Sequence, residues 1–284
     1  MLESCNDDYQ LSEDKMDIIN ISAYKFLELS DLPSLKEILL SKALEYNLRG
    51  TILLSHEGIN CFFAGSREAV DQYKHLISNT LGMGELPYKE SISSAQPFRR
   101  MLVRLKKEII SMGVPEIQPH KFTAPRITAE ELNQWYDEKR DFILLDTRND
   151  YEVRLGTFEN AMHLDIQTFR AFPEAIQNLD PSFKEKTFVT TCTGGIRCEK
   201  AGPYMLSIGF KNVYQLDGGM LRYLEKCGSA HWVGECFVFD HRTALDPNLQ
   251  ETKTTQCFTC RSPLLPAEQQ DPRYVLGESC PYCA

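Results

Sequence analysis

Residues 188–201 read Phe-Val-Thr-Thr-Cys-Thr-Gly-Gly-Ile-Arg-Cys-Glu-Lys-Ala. The first four have the apolar, β-branched character of a buried strand, and residues 199–207 have the pattern of a helix. A strand that runs through a glycine-containing loop into a helix is typical of parallel α/β sheets, whose active sites lie at the carboxyl ends of the strands. The stretch therefore predicts an α/β fold with a functional loop at residues 192–198.

The same alternation of strands and helices surrounds this loop. Two further apolar stretches, residues 142–146 and 213–216, read as buried strands separated by helical segments. A linker containing Pro115, Pro119 and Pro125 precedes them. We predict an α/β domain with a parallel sheet at residues 122–228.

The N-terminal part has a different order of elements. Strands at residues 18–26, 50–55, 59–64 and 101–106 and helices at 32–46 and from Ser66 give the order β-α-β-β-α-β. This order is that of the ferredoxin-like α+β fold, with both helices on one face of the sheet. We predict such a domain at residues 15–118, followed after the α/β domain by a small Cys-rich C-terminal element at residues 229–284.

Composition limits the class of protein. The chain has 284 residues, a net charge of -9, 42% hydrophobic residues and ten cysteines. The hydrophobic fraction excludes a wholly disordered chain, and no apolar run reaches the roughly 20 residues that a membrane span requires. Residues 1–17 are acidic and lack the features of a secretory signal. We expect a cytoplasmic protein with reduced thiols, which indicates metal or sulfur chemistry and argues against a disulfide scaffold.

The loop after the central strand is suited to a reactive cysteine. Backbone N–H groups and the positive end of a helix dipole favour the thiolate of Cys192, and Gly194 and Gly195 allow the backbone to form an anion nest. Arg197 adds a permanent positive charge near the rim. Such a site suits an anionic adduct, either a phosphate or a persulfide. Cys198 is either a resolving thiol for oxidised Cys192 or a residue that packs against the sheet.

The pattern Cys-x-x-Gly-x-Arg resembles the active-site loop of rhodaneses, in which Thr193, Gly194, Gly195 and Ile196 would form the loop between Cys192 and Arg197. Sulfurtransferases of that superfamily keep four residues between the cysteine and the arginine, whereas the related phosphatases keep five. The resemblance therefore implies a cysteine persulfide. Residues 146–152 and 217–219 resemble the rhodanese strand-end segment and its late glycine turn, and we expect them to hold loops together.

The longer string from Cys192 to Ala201, together with residues 55–60, 100–108 and 148–157, resembles the bacterial tRNA uridine hydroxylase family. That resemblance implies a ferredoxin-like (acylphosphatase-like) domain followed by a rhodanese domain. It also implies an oxidoreductase active in tRNA modification, which uses molecular oxygen to make 5-hydroxyuridine at wobble position 34 in the anticodon loop. Cys192 would be the essential thiol, either by adding to uracil C6 or by carrying a persulfide or sulfenate.

Other classes remain open. The alternatives are a thiosulfate sulfurtransferase and a non-enzymatic rhodanese-like interaction module. The sequence shows no flavin or dinucleotide-binding glycine motif and no facial triad of metal ligands. Its residues do not indicate an oligomeric state.

Basic residues crowd one region of this acidic chain. Residues 86–126 hold eight Lys or Arg against three Asp or Glu. The candidate RNA-binding residues are Arg99, Arg100, Arg104, Lys106 and Lys107, with a solvated sheet face as the competing interpretation. An aromatic side chain would help a wobble base to leave its stack, but we expect Tyr204, Tyr214 and Tyr223 to pack in the core. The turn at residues 56–58 is expected to orient the N-terminal domain.

The C-terminal cysteines have metal-ligand spacing. Cys257 and Cys260 form one Cys-x-x-Cys pair, and Cys280 and Cys283 form a second pair after nineteen intervening residues. Four such thiolates suffice for a structural zinc ion, and a redox-active disordered tail is the alternative. The isolated Cys5, Cys61, Cys227 and Cys236 are expected to be bystanders.

Overall fold

The computed structural model describes residues 17–82 and 84–284. The expectations for the acidic N-terminal segment before residue 17 and for Cys5 therefore lie outside the described residues.

The N-terminal domain contains five strands and two helices. These are β1 (Ile18–Phe26), α1 (Leu32–Glu45), β2 (Arg49–Ser55), β3 (Gly58–Gly65), α2 (Arg67–Thr80), β4 (Lys89–Ser93) and β5 (Met101–Leu105). The sheet order is β4-β1-β3-β2-β5. The ferredoxin-like fold is thus confirmed, but the prediction that residues 101–106 supply its fourth strand is wrong.

The fourth strand of the ferredoxin-like order is β4, which pairs antiparallel with β1. Its sequence, Lys-Glu-Ser-Ile-Ser, has a single large apolar residue, so it carries no clear strand signal. Strand β5 is an additional strand at the opposite edge, where it pairs in parallel with β2.

Both helices cover one face of this sheet. Leu39 and Ala43 of α1 and Tyr73 and Ile77 of α2 lie in one buried cluster with Ile21 of β1. Because side chains alternate along a strand, the neighbouring residues of β1 point to the other face. That second face lies against the next domain, and Tyr24 of β1 bonds there to Glu199.

The second domain is a parallel α/β domain. Its elements are β6 (Arg126–Ile127), α3 (Ala129–Asp137), β7 (Ile143–Asp146), α4 (Asp150–Val153), β8 (Gly156–Phe158), β9 (Met162–His163), α5 (Phe172–Gln177), β10 (Thr187–Thr191), α6 (Cys198–Ser207), β11 (Asn212–Leu216) and α7 (Gly219–Cys227). The sheet order is β6-β11-β10-β7-β9, and each adjacent pair is parallel. The predicted parallel sheet and its three central strands are confirmed.

Helices cover both faces of this second sheet. One buried cluster joins Leu145 and Phe188 to Met205 of α6, and another joins Leu144 and Val189 to Leu132 of α3. Consecutive residues of β7 and β10 therefore point into opposite cores, which explains why apolar residues are adjacent in these strands and do not alternate with polar ones, as at Leu144-Leu145 and Phe188-Val189.

The C-terminal element consists of short strands and loops. Its strands are β12 (Trp232–Gly234), β13 (Cys236–Phe237), β14 (Ala244–Leu245), β15 (Thr255–Gln256) and β16 (Pro263–Leu264). Strand β12 pairs with β8, while β13 with β14 and β15 with β16 form two antiparallel pairs. Short 3-10 helices occur at Phe169–Ala171, Pro181–Glu185 and Glu268–Gln270.

Across residues 17–82 and 84–284, each helix falls short of the length and apolar character needed to cross a membrane.

Candidate active site

The cysteine loop lies between β10 and α6, at the carboxyl end of the central strand of the parallel sheet. Cys192 is only 1% exposed, and its Sγ accepts a hydrogen bond of 3.1 Å from the backbone N–H of Gly195. Gly195 has φ +95°, and a Cβ there would lie 3.0 Å from the Tyr24 hydroxyl. Glycine is favoured at this position because a side chain would strain the backbone at this φ and would crowd the Tyr24 hydroxyl.

The Cys192 thiol has a lowered pKa. Burial alone would raise it, but hydrogen bonding with the Cys198 thiol, the charge of Arg197 and the N–H groups of Arg197 and Gly195 outweigh burial and lower the pKa to about 6. Burial and the neighbouring Cys192 raise the pKa of Cys198 well above its ordinary value. The two pKa shifts have opposite directions and favour a thiolate on Cys192 over one on Cys198.

Arg197 lies deeper than the rim position expected from the sequence. It is 5% exposed, and its Nη2 lies 3.0 Å from the carboxylate of Glu152, which is fully buried. Its guanidinium carbon lies 5.6 Å from the ring centroid of Phe239. Within the described residues, the buried Nη1 of Arg197 has no hydrogen-bond partner. One N–H group of a buried cation thus remains available to an anionic or carbonyl group.

The two segments that resemble rhodanese connections support the loop. Asp146 and Arg148 form a fully buried ion pair at the end of β7. In the glycine turn before α7, a Cβ on Gly219 would lie 2.3 Å from the carbonyl oxygen of Cys192, and that oxygen accepts from Met220 N–H at 3.0 Å. Both segments hold loops together, as predicted.

Two side chains of the N-terminal sheet also reach the loop, and the sequence analysis missed both. Lys89 of β4 donates to the carbonyl oxygens of Gly194 (2.5 Å) and Gly218 (2.6 Å). Lys89 is half-buried as a residue, and burial of its ammonium lowers its pKa to about 8. The hydroxyl of Tyr24 lies 3.2 Å from Glu199 Oε1. No local sequence signal identifies these residues, because they reach the loop through domain packing.

The turn between β2 and β3 joins the two domains. The carboxylate of Glu57 lies 2.8 Å from Nζ of Lys200, which is 1% exposed and also bonds to Glu108 at 2.7 Å. Glu57 also accepts from the backbone N–H of Ile109. Since Lys200 belongs to α6, these contacts support the expected role of this turn in orienting the N-terminal domain.

A hairpin of the C-terminal element borders the same loop. The carbonyl of Phe237 accepts from the Thr193 hydroxyl at 3.4 Å, and Phe239 at the hairpin tip is 50% exposed. His241 N–H donates to the carbonyl of Pro97 at 3.2 Å, so the tip also touches the N-terminal domain. The exposed aromatic side chain beside the loop is therefore Phe239. Tyr204 and Tyr223 are buried, and Tyr214 packs against Trp135, as expected.

The candidate RNA-binding residues are all exposed, but they do not form one cluster. Arg99 and Arg100 follow Pro97 and thus lie close to the hairpin tip. Arg104 is on β5, at the sheet edge opposite β4, and Lys106 N–H bonds to Leu54 near the far end of β2. At about 3.3 Å per residue, Arg100 and Lys106 are about 20 Å apart along the chain. Lys107 directly follows Lys106 and therefore lies with Arg104 and Lys106, away from Arg99 and Arg100.

The C-terminal cysteines converge. The Sγ atoms of Cys257, Cys260, Cys280 and Cys283 all lie within 4.8 Å of one another. Individual separations are 3.5 Å for Cys260–Cys280, 3.7 Å for Cys280–Cys283 and 3.9 Å for Cys257–Cys283. Tetrahedral zinc with bonds of about 2.3 Å would place its sulfur ligands about 3.8 Å apart. The four thiols therefore fit a structural zinc ion.

Cys61 and Cys227 lie away from both clusters, whereas Cys236 belongs to β13, whose Phe237 borders the Cys192 loop. Cys61 and Cys236 are fully buried, and burial raises the pKa of each to about 12. Cys227 is half-buried. Their placement agrees with the expected bystander role.

Two family models match the first two domains. Residues 18–109 match the family described as the UPF0176 acylphosphatase-like domain, and residues 128–226 match the rhodanese-like domain. Among solved structures, a rhodanese-like domain from Anabaena is 22% identical and covers 39% of this chain and 79% of its own, with a TM-score of 0.33.

Curated relatives match over nearly the full chain. A tRNA uridine(34) hydroxylase from Cupriavidus necator is 49% identical over 94% of this chain and 97% of its own length. A protein of the same name from Burkholderia orbicola is 49% identical over 95% of this chain and 98% of its own length. Another from Paraburkholderia xenovorans is 47% identical over 94% of this chain and 96% of its own length. With this identity and coverage, the chain belongs to the tRNA uridine(34) hydroxylase family.

Proposed function

We propose that this protein is an oxidoreductase that hydroxylates uridine 34 of tRNA to 5-hydroxyuridine, with molecular oxygen as co-substrate and Cys192 as the essential thiol. The observation that carries the proposal is the Cys192 loop, where a buried thiol has its pKa lowered to about 6. The chain that holds this loop belongs to the tRNA uridine(34) hydroxylase family. Because the substrate is tRNA, we place the reaction in the cytoplasm.

Cys192 acts on the base as a nucleophile in this proposal. Its thiolate adds to uracil C6, the ring gains electron density at C5, and C5 then reacts with the oxidant. The unpartnered Nη1 of Arg197 supports this role, since it can donate to a uracil carbonyl that becomes negatively charged as sulfur adds. Conversion of C5–H to C5–OH by molecular oxygen takes up two electrons and two protons and releases water. Oxidation of the Cys192 and Cys198 thiols to a disulfide would supply both, after the Cys192 sulfur leaves C6 as the C5 proton is lost.

Cys198 supplies a second thiol beside the first. When Cys192 is oxidised to a sulfenic acid, the Cys198 sulfur attacks it, a disulfide forms and water leaves. Cys198 attacks as its thiolate, and the proton that it gives up leaves in the water; oxidation of Cys192 removes a neighbouring thiolate that helps to raise the pKa of Cys198. A persulfide or sulfenate on Cys192 as the oxygen-transferring group is the competing mechanism, and trapping a C6 adduct with a 5-fluorouridine-substituted tRNA distinguishes the two.

The RNA-binding surface that we propose combines the hairpin tip with Arg99 and Arg100. Phe239 offers an exposed ring beside Arg197, on which a base that has left the anticodon stack can lie. Arg99 and Arg100 contact phosphates nearby, whereas Arg104, Lys106 and Lys107 serve as a more distant part of the surface.

We assign the four C-terminal cysteines to a structural zinc ion. The ion would hold together a segment with only two short strands and a small buried cluster. Arg154, which follows α4, donates to the carbonyl of Pro263 in β16 at 2.9 Å and pairs with Glu268 at 2.8 Å. Zinc would thus fix the position of the C-terminal element against the rhodanese domain.

Nucleoside analysis of tRNA tests the proposed activity. A strain that lacks the gene is complemented with the natural chain, with Cys192→Ala, or with Cys227→Ser as a control at a half-buried cysteine outside the loop. The natural chain and Cys227→Ser restore 5-hydroxyuridine, and Cys192→Ala does not. Full restoration by Cys192→Ala contradicts the role of this thiol, and failure of the natural chain contradicts the activity.

The sulfurtransferase alternative is favoured by one observation, the four residues between Cys192 and Arg197. It predicts rapid formation of thiocyanate from thiosulfate and cyanide without tRNA. Purified protein that forms 5-hydroxyuridine in tRNA but little thiocyanate excludes it.

A further inference from the structure

One peptide unit connects the N-terminal domain to the reactive thiol. The unit that joins Gly194 to Gly195 presents its carbonyl oxygen to Nζ of Lys89 at 2.5 Å and its N–H to Sγ of Cys192 at 3.1 Å. A trans peptide is planar, with its C=O and N–H pointing in opposite directions. A cation that holds the carbonyl therefore also aims the N–H at the sulfur.

This orientation needs a restraint. Both residues of the unit are glycines, and Gly195 has a positive φ, so the peptide can rotate more readily than it could between residues with side chains. If the unit turned over, its carbonyl oxygen would face Cys192, and the sulfur would lose a donor and gain a repulsive dipole. Lys89 opposes that rotation from outside the loop.

Lys89 also fixes the loop to its support. The same ammonium donates to the carbonyl of Gly218 at 2.6 Å, in the glycine turn that packs under Cys192. The ionisable groups around Lys89 are Cys192 and Cys198 of the loop, Asp217 before α7 and Arg222 within it. The ammonium is therefore a positive charge close to the thiolate as well as a hydrogen-bond donor.

We propose that Lys89 is a positioning residue for the hydroxylase reaction, which holds the Gly194–Gly195 peptide so that Cys192 is ionised when the N-terminal sheet is seated on the rhodanese domain. The role assigns a chemical task to the N-terminal domain: it completes the thiolate site of its neighbour. It rests on the proposed function only in that Cys192 is the reacting thiol.

The test measures ionisation of Cys192 directly. Thiolate absorbance in the ultraviolet is followed against pH as the difference between each protein and the same protein with Cys192→Ser. In Lys89→Met, which keeps the length of the side chain but neither charge nor donors, the pKa of Cys192 is expected to rise by about one unit or more. In Lys89→Arg, which keeps charge and donors, most of the shift is expected to be reversed.

The matched control is Lys74→Met. Lys74 belongs to α2 and pairs with Glu90, on the helix-covered face of the same sheet, so it resembles Lys89 in type and domain but does not face the loop. Its substitution is expected to leave the pKa of Cys192 unchanged. Lys89→Gln, which keeps N–H donors without the charge, provides the measurement if Lys89→Met does not fold.

The possible results separate clearly. A raised pKa in Lys89→Met or Lys89→Gln, with Lys74→Met unchanged, supports the positioning role. An unchanged pKa of Cys192 in folded Lys89→Met, or in Lys89→Gln where Lys89→Met does not fold, overturns it, even if hydroxylation is reduced. Because the readout is the ionisation of a thiol, it is independent of whether tRNA hydroxylation is the activity, and that question is decided by nucleoside analysis of the Cys192 variant.

Discussion

Lys89 and Cys192 lie in different domains and contact opposite ends of the Gly194–Gly195 peptide, at 2.5 and 3.1 Å. The site that we propose around Cys192 is therefore composite. In it, the candidate nucleophile, the arginine and the glycine turn come from the rhodanese domain, Lys89 comes from the N-terminal sheet, and Phe239 comes from the C-terminal element.

The ionisation of Cys192 gives a pH dependence. Because its pKa is lowered to about 6, we expect the rate of the step that uses the thiolate to be flat above pH 7 and to fall about tenfold per unit below pH 6. Single-turnover hydroxylation of tRNA between pH 5 and 8 checks this. If the rate instead rose with pH with a midpoint near the ordinary thiol pKa of about 8.5, a stabilised thiolate would be contradicted.

The buried ion pair of Arg197 and Glu152 predicts a stability effect. Glu152→Gln leaves a buried guanidinium without its counter-charge, so we expect a loss of about 3 kcal/mol in the free energy of unfolding. Denaturant unfolding measures it. The control is Glu185→Gln, which breaks an exposed pair with Lys211 and should change stability by less than about 1 kcal/mol. Equal effects in both variants would refute the buried pairing.

The separation of the basic residues predicts unequal effects on tRNA binding. Replacement of both Arg99 and Arg100 by serine should weaken binding and reduce the slope of log affinity against log salt by about one to two. Replacement of Arg104 and Lys106 by serine should have a smaller effect, because these residues lie away from the hairpin tip. Affinity titrations at several salt concentrations compare the two double variants. A larger loss of tRNA affinity in the Arg104 and Lys106 variant would place the RNA-binding surface at β5.

The exposed ring of Phe239 predicts an effect on substrate use. Phe239→Ala should lower kcat/KM for tRNA by about tenfold or more, since base stacking on an aromatic side chain contributes about 1–3 kcal/mol. Phe239→Trp should retain activity. Phe122 is similarly exposed at 57% but lies in the linker, so Phe122→Ala serves as the control. If both alanine variants behave like the natural chain, Phe239 does not contact the base.

The four C-terminal cysteines predict a bound metal. Protein purified without chelator should contain about one zinc ion per chain, and Cys257→Ser or Cys280→Ser should contain much less. Loss of zinc should make residues after the β13–β14 hairpin sensitive to protease while the rhodanese core stays intact. Cys227→Ser is the control for loss of a thiol in general, and metal-free protein with an intact C-terminal element would disprove the site.

The sequence predicted the Cys192 loop well because that site is local. A buried strand, two glycines and a helix start determine where the thiol lies and why its amides face it, and these features occur within ten residues. The parallel sheet was predictable for a similar reason, since β7, β10 and β11 each hold adjacent apolar residues within a short stretch.

The rest depended on contacts between distant residues. Strand β4 is polar because Lys89 faces the rhodanese loop and Glu90 pairs with Arg67 and Lys74. Its sequence therefore lacks the alternation of apolar and polar residues by which a strand is recognised. Arg197 was expected at the rim, but the C-terminal hairpin covers it with Phe239. Neither arrangement is visible until the three parts of the chain are assembled.

The near-complete burial of Cys192 affects how readily its thiol is oxidised. A thiolate at neutral pH is the form that peroxides and electrophiles attack, and oxidation beyond the sulfenic acid is irreversible for most proteins. With Cys192 only 1% exposed beneath Lys89 and Tyr24, small oxidants meet a closed surface. The N-terminal sheet that seats Lys89 on the loop therefore also limits which molecules reach the thiol.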